Sequence, residues 1–209
     1  MEPLSWSKLD ICHHRQPRRQ AISTADRILD TTQDLIQTKG YNAISFNEIA
    51  DIVGIKKPSI VHHFSSKAVL GRAVVQRYRE QFGTLLSECL ANKSHTSMDA
   101  FELYCQPYRD TGAGGDKVCL CGSLAGELLA LPDEMQSEVR GFFASHIDWL
   151  EQILEAGLAS GEFKFEQSPK VMAGVILHAM QGALIVMRST GDVEQIENTI
   201  ASLKGQLKN

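Results

Sequence analysis

Residues 45–67, SFNEIADIVGIKKPSIVHHFSSK, restrict the possible folds of this chain more than any other stretch. Ser45 can cap a helix, and Glu48 three residues later completes the pattern of a capping box. Phe46, Ile49, Ala50 and Val53 follow at helical spacing, and Gly54 gives the backbone the freedom for a sharp turn. Ile55 can fill the space between two helices. The second helix opens near Pro58, a residue tolerated in a first turn. Ile60 and Phe64 lie one turn apart and face inward, which leaves Lys57, Ser59, His62 and His63 outside. A short helix with a basic, hydrogen-bonding outer face has the shape and chemistry to enter a DNA major groove, so the stretch is a candidate helix-turn-helix.

The overall charge of -4 argues against a nucleic-acid binder until it is divided along the chain. Residues 1–83 carry 12 Lys and Arg against 8 Asp and Glu; residues 84–209 carry 9 against 17. A basic reader joined to an acidic body fits this asymmetry, and the basic excess coincides with the two-helix pattern. Three units are expected: a basic arm at 1–22, a helix-turn-helix domain at 23–68, and an effector-binding and dimerisation domain at 69–209. In the arm, Arg15, Arg18 and Arg19 lie beside His13 and His14, suited either to following phosphates or to being a solvated tail.

The spacing predicts helices throughout. Ser23 with Asp26 opens one over residues 24–39, ended by Gly40. Another starts at Ser66 and runs to about residue 90, roughly 37 Å at 1.5 Å per residue, long enough to join the reader to a separate body. Shorter helices follow over 98–108 and 119–131, with a flexible loop at 110–117 between them. Longer ones cover 133–160 and 169–188, and a final one is capped by Asp192. Val193, Ile196, Ile200, Leu203 and Leu207 give that last helix a heptad-like seam. No segment sustains a period of two, so the chain is expected to be all-α. The helix over 169–188 is apolar on almost every side, which points to burial on two faces. Interrupted by His178 and Gln181 and without charged flanks, it is expected to be a buried helix and not a membrane span.

Five cysteines (Cys12, Cys89, Cys105, Cys119 and Cys121) and an N-terminus without an apolar run point to free thiols in a reducing cytoplasm. Cys119 and Cys121 stand at a predicted helix start just after Lys117, where a thiol pKa falls; they are either reactive sensors or small core residues. Cys-X-Cys supplies only two ligands, so no metal is expected, and nothing calls for a cofactor. On the apolar stripes of the body, the polar or aromatic residues Tyr104, Tyr108, Phe142, His146, Trp149, His178 and Gln181 are candidates for a mainly apolar ligand pocket, each with core packing as its alternative. An enzyme using His146, His178 or Cys119 would leave the capped two-helix pattern unexplained.

The capped first helix, KGY at 39–41, the helix-turn-helix, HF at 63–64, SSK at 65–67 and the long helix after it resemble the TetR family of transcriptional regulators. The CLCGSLAGEL run resembles a Cys-Leu-containing run in one branch of that family. The resemblance implies an N-terminal three-helix DNA-binding module joined by a long helix to a C-terminal helical body. It implies a homodimer on a palindromic double-stranded operator, usually as a repressor, with a small-molecule effector site in the body. It also implies that the helices at about 169–188 and 192–207 pair with their dimer mates. Matched residue by residue, it places Lys56, Lys57, Ser59, His62 and His63 in the recognition region, with Lys67 on phosphate and Ser45 and Asn47 near backbone. Position 61, often aromatic in the family, is Val61 here, which removes a phenol-to-phosphate bond and shifts weight to His62 and His63. If the histidines compensate, DNA binding strengthens as pH falls below about 6.5; equal affinity at pH 6 and pH 8 at fixed salt would rule this out.

Overall fold

The computed structural model describes residues 23–92 and 94–208. The arm at 1–22, Cys12 with it, lies outside the described residues. Those residues form nine α-helices and a short 3-10 turn, with no strand among them. The first three helices are α1 (Thr24–Lys39), α2 (Phe46–Val53) and α3 (Lys57–His63), followed by the long α4 (Lys67–Ala91). The body adds α5 (Ser97–Gly112), α6 (Leu120–Gly126), α7 (Asp133–Ser160), α8 (Pro169–Thr190) and α9 (Glu194–Gln206).

Local chemistry explains most of the helix starts. Ser23, Ser45, Ser66 and Ser168 each accept the backbone N–H three residues ahead, satisfying one of the donors that a helix N-terminus leaves open. At Ser45 only half of the expected capping box forms, because the Glu48 carboxylate pairs with Lys39 instead. A complete box occurs at Thr96 and Asp99, which opens α5 one residue before the expected start. Gly40 and Gly54 take positive φ of 87° and 73°, the turns that let α1, α2 and α3 fold onto one another. Ile28, Ile36, Ile49, Ile60, Leu70 and Val74 are fully buried at the junction of these helices with α4.

Three expectations are corrected. Helix α5 continues to Gly112, taking the first part of the predicted loop. The predicted helix at 119–131 is only seven residues long and gives way to the 3-10 turn Leu128–Ala130. The side chain of Asp192 accepts from the Glu194 N–H, but α9 itself begins at Glu194. On the expected seam, Val193 is exposed, while Ile196, Ile200, Leu203 and Leu207 are buried within their own chain. Arg109 holds α9 to α5 by pairing with Glu197 at 2.7 Å and with Glu102 at 3.0 Å.

Helix α8 divides its apolar surface. Met172, Ala173, Ile176, Leu177, Met180, Leu184 and Met187 are buried, packed into the body. Val171, Val175, Ile185 and Val186 are exposed on the other side. By length and composition α8 could cross a bilayer (mean hydropathy 1.6), but its inner face packs between α7 and α9.

Candidate DNA interface and effector cavity

The helix-turn-helix presents the expected residues outward. Ser45, Asn47, Lys56, Lys57, His62 and His63 are exposed and Ser59 is half-buried, while Ile60 and Phe64 hold α3 to the core. Ser45 spends its hydroxyl on the α2 cap, accepting from Glu48 N–H at 3.2 Å. Val61 is exposed beside the two imidazoles, whose rings stand edge to face 5.5 Å apart. Lys67, expected on phosphate, is half-buried at the start of α4. Its Nζ donates to the Asn42 carbonyl at 3.3 Å and lies 4.6 Å over the Tyr41 ring. Desolvation pushes its pKa down, and the Glu127 carboxylate works against that.

Behind this surface the head is fastened to the body. The last carbonyls of a helix have no partner within it. In α1 the Ile36 carbonyl accepts from Ser123 Oγ at 2.8 Å, and the Gln37 carbonyl from the Val118 N–H at 3.3 Å and from Arg188 at 3.4 Å. The Gln37 amide donates back to the Val118 carbonyl at 3.1 Å. Lys117 pairs with Asp34 at 2.9 Å. Glu127, just past α6, accepts from the backbone N–H groups of Tyr41 and Asn42 at 2.8 and 2.9 Å. Helix α6 thus ties the body to the turn that precedes the helix-turn-helix. Replacing Glu127 by Ala leaves two amides without their carboxylate and is expected to cost about 1–3 kcal/mol of stability. Urea denaturation reads the loss; an unchanged midpoint would show the latch to be idle.

At the other end of α6 lies a small apolar cavity of about 10 Å³, room for roughly one water. Tyr78 and Phe82 of α4, Pro107, Tyr108 and Thr111 of α5, Cys119, Phe142 and His146 of α7, and Leu184 of α8 line it. Of the predicted effector residues, Tyr108, Cys119, Phe142 and His146 reach the cavity. Tyr104 and Gln181 stand behind it in one chain of hydrogen bonds. Gln181 Nε2 donates to Tyr108 at 3.3 Å, the two phenols are 3.1 Å apart, and Tyr104 Oη is 3.3 Å from His146 Nδ1. Trp149 supports this chain from outside, stacked on Tyr104 at 5.6 Å and donating to the Leu86 carbonyl at 2.8 Å. Burial pushes the phenols of Tyr78, Tyr104 and Tyr108 well up, so they stay protonated, and pushes His146 down to about 4, so it stays neutral.

Two of the expected residues are placed elsewhere. His178 is exposed on the outer face of α8, away from the cavity, because the helix turns its other apolar side inward. Cys121 is completely buried and its thiol is pushed well up by desolvation, the reverse of an activated thiolate. The Lys117 ammonium, expected to activate the thiols, is engaged by Asp34. Cys119 does line the cavity, with its Sγ 3.8 Å from the Tyr78 hydroxyl. Neither His178 nor Cys121 joins His146 and Cys119 at the cavity. Among the described residues no three His, Cys, Asp or Glu side chains gather as a metal site. Sequence reasoning missed Tyr78, Phe82, Pro107, Thr111 and Leu184 as cavity walls. Tyr78 and Phe82 were visible as an aromatic pair one turn apart on α4, but nothing local distinguished them from core.

Comparison with known proteins agrees with this architecture. The model for bacterial regulatory proteins of the tetR family matches residues 28–74, and that for the tetracyclin repressor-like C-terminal domain matches residues 99–203. The HTH-type transcriptional repressor NemR of Escherichia coli strain K12 is 25% identical over 183 residues, 87% of this chain and 92% of that protein. A TetR transcriptional regulator from Legionella pneumophila superposes with a TM-score of 0.82 at 31% identity, covering 90% of this chain and 100% of that one. A TetR-family regulator from Agrobacterium tumefaciens gives 0.83 at 30% identity, covering 89% and 98%. With the N-terminal reader and the C-terminal body both matched, the chain belongs to the tetR family of bacterial regulatory proteins and is a transcriptional regulator.

Proposed function

We propose that the protein is a repressor that binds a palindromic operator as a homodimer and is released by a small, mainly apolar effector. The observation that carries this reading is the continuous connection from cavity to reader. Tyr78 and Phe82 place α4 on the cavity wall, and Cys119 places the start of α6 there. Both helices lead to the reader, α4 from Lys67 directly after α3, and α6 through Glu127 on Tyr41 and Asn42. An effector that spreads the cavity walls changes the spacing of two heads that must fit successive major grooves about 34 Å apart. The protein acts in the cytoplasm, where its operator is, and no membrane takes part.

In the reader, Lys57 and Ser59 meet base edges or the adjacent phosphates. Lys56, His62, His63 and Lys67 meet phosphate, and Ser45 and Asn47 approach the backbone. Selection of bound DNA from a random pool at fixed salt tests the reading: a palindromic consensus is expected, and recovery of unrelated sequences would overturn it. On the selected operator, Lys57→Ala is expected to cost about 1–3 kcal/mol and, if the contact is to phosphate, to lower the salt slope by about one. Fluorescence anisotropy over a salt series measures both, and an unchanged affinity would remove Lys57 from the interface. A promoter-reporter assay with and without the protein gives the sign of regulation, and an activator would raise expression.

Cys119 supports a second effector class. Its thiol faces the cavity, so an electrophile admitted there meets it first. Mass spectrometry after mild electrophile treatment is expected to find Cys119 modified and Cys121 intact; an unmodified Cys119 would exclude this class.

A further inference from the structure

The hydrogen-bond chain behind the cavity allows two orders of its protons. Gln181 donates to the Tyr108 oxygen, and each phenol owns a single proton. In the first order Tyr108 donates to Tyr104 and Tyr104 to His146 Nδ1; in the second His146 Nδ1–H donates to Tyr104 and Tyr104 to Tyr108, whose oxygen accepts twice. The first order puts the proton of the neutral ring on Nε2, and the second leaves Nε2 a bare acceptor. The His146 side chain is only 1% exposed, and Nε2 has no hydrogen-bond partner among the described residues. A buried polar atom without a partner is uncommon and calls for an explanation. Here the histidine is a wall of the cavity, its ring centroid 4.0 Å from that of Phe142 and 5.3 Å from that of Phe82.

The rest of the wall excludes charge. Among the described residues no lysine, arginine, aspartate or glutamate lines the cavity, so a bound anion would lose its water and gain no counter-ion. Phe82, Phe142 and Leu184 favour a flat apolar body. The space of about 10 Å³ must open to admit one. The half-buried rim residues Phe82, Pro107 and Thr111 are where it can, since Pro107 lies inside α5 and supplies no N–H to the turn before it.

We propose that the first proton order holds and that the cavity takes a small neutral aromatic or similarly flat ligand carrying a single hydrogen-bond acceptor of the ketone or ester type, held by the Nε2–H of His146. This rests on the reading of the body as an effector domain and names the chemistry that its site selects. The Gln181–Tyr108–Tyr104 chain acts as a positioning relay: it fixes the tautomer and does not itself touch the ligand through Tyr104 or Gln181.

The test uses the full chain and three probes of similar size: acetophenone, ethylbenzene, which lacks the acceptor, and benzoate, which is charged. Calorimetric titration is expected to show acetophenone binding at least about tenfold more tightly than either of the others. His146→Leu should lower acetophenone affinity to the level of ethylbenzene and leave ethylbenzene unchanged. His146→Gln, which keeps a donor, should restore part of the difference. Independently, long-range proton–nitrogen NMR on histidine-labelled protein, with the His146 signals assigned by the Gln variant, should show the Nε2–H tautomer. Equal binding of acetophenone and ethylbenzene, benzoate binding as tightly as acetophenone, no binding of acetophenone, or an Nδ1–H ring would each overturn the proposal. Operator binding by the same preparations is scored separately. Its loss would defeat the regulator reading whatever the probes show, and its presence with a failed probe series would defeat only the ligand class.

Discussion

A double substitution of Val175 and Ile185 by glutamate is expected to yield a folded monomer whose affinity for a palindromic operator is at least about a hundredfold lower. Val171, Val175, Ile185 and Val186 are 55%, 39%, 47% and 45% exposed in the single chain. Residues 171, 175, 178, 182, 185 and 189 recur at helical spacing, so these side chains share one side of α8 with Gly182, beside the outer surface of α9. In the proposed homodimer two such surfaces related by a two-fold axis form a four-helix seam, which one subunit cannot cover by itself. A glutamate at the centre of the seam would have to lose its water without a partner, which association cannot repay. The buried face of α8 is untouched, so the monomer should keep its helical circular dichroism. Light scattering gives the mass and anisotropy gives the affinity. A variant that remains dimeric with full affinity would show that the dimer forms elsewhere.

The second large effect is acid sensitivity centred on His146. Its pKa is lowered to about 4 by burial, against 6.5 for an ordinary histidine. Between those values the unfolded chain binds a proton that the folded chain refuses, so stability falls as pH falls through this window. At about 1.36 kcal/mol per unit, the group costs roughly 2 kcal/mol at pH 5 relative to pH 7.5, approaching about 3 kcal/mol near pH 4. The sign is that of a buried neutral histidine: its contribution is fully present above pH 6.5 and declines below. The rings of Phe82, Phe142 and Tyr104 face it, and among the described residues its one hydrogen-bond partner is Tyr104 and no carboxylate bonds to it to offset the loss. His146→Phe should be less stable than the parent at pH 7.5 because it abandons Tyr104, yet lose less on going to pH 5. Denaturant midpoints at fixed protein concentration measure this. A constant gap between the two proteins over that range would mean that His146 is not buried neutral.

What could be read in advance was local. Ser23, Ser45, Ser66 and Ser168 act on amides three residues away, so each helix start is written in a few adjacent residues. The same holds for Gly40, Gly54 and Gly161, each of which ends a helix in a positive-φ turn. The end of α6, which falls short of the expected residue 131, depends on distant partners. Helix α6 stops at Gly126, and the Glu127 carboxylate just beyond it is bound to amides 86 and 85 residues away in the chain. Periodicity located the apolar residues of α8 and α9 but could not say which side belongs to the chain's own core. That is why His178 was assigned inward and the α9 seam to a partner.

The sequence by itself therefore determined an all-helical chain with a capped helix-turn-helix and an outward basic face. Those features follow from neighbours three or four residues apart and from the sorting of apolar and polar side chains. Only the tertiary structure decided that α6 links cavity to reader, that Cys121 is buried away from the cavity, and that Tyr104, Tyr108, His146 and Gln181 form one hydrogen-bonded chain. Each of these is a contact between segments far apart in sequence, or a desolvation that exists only once α4, α5, α7 and α8 have closed around the same small space.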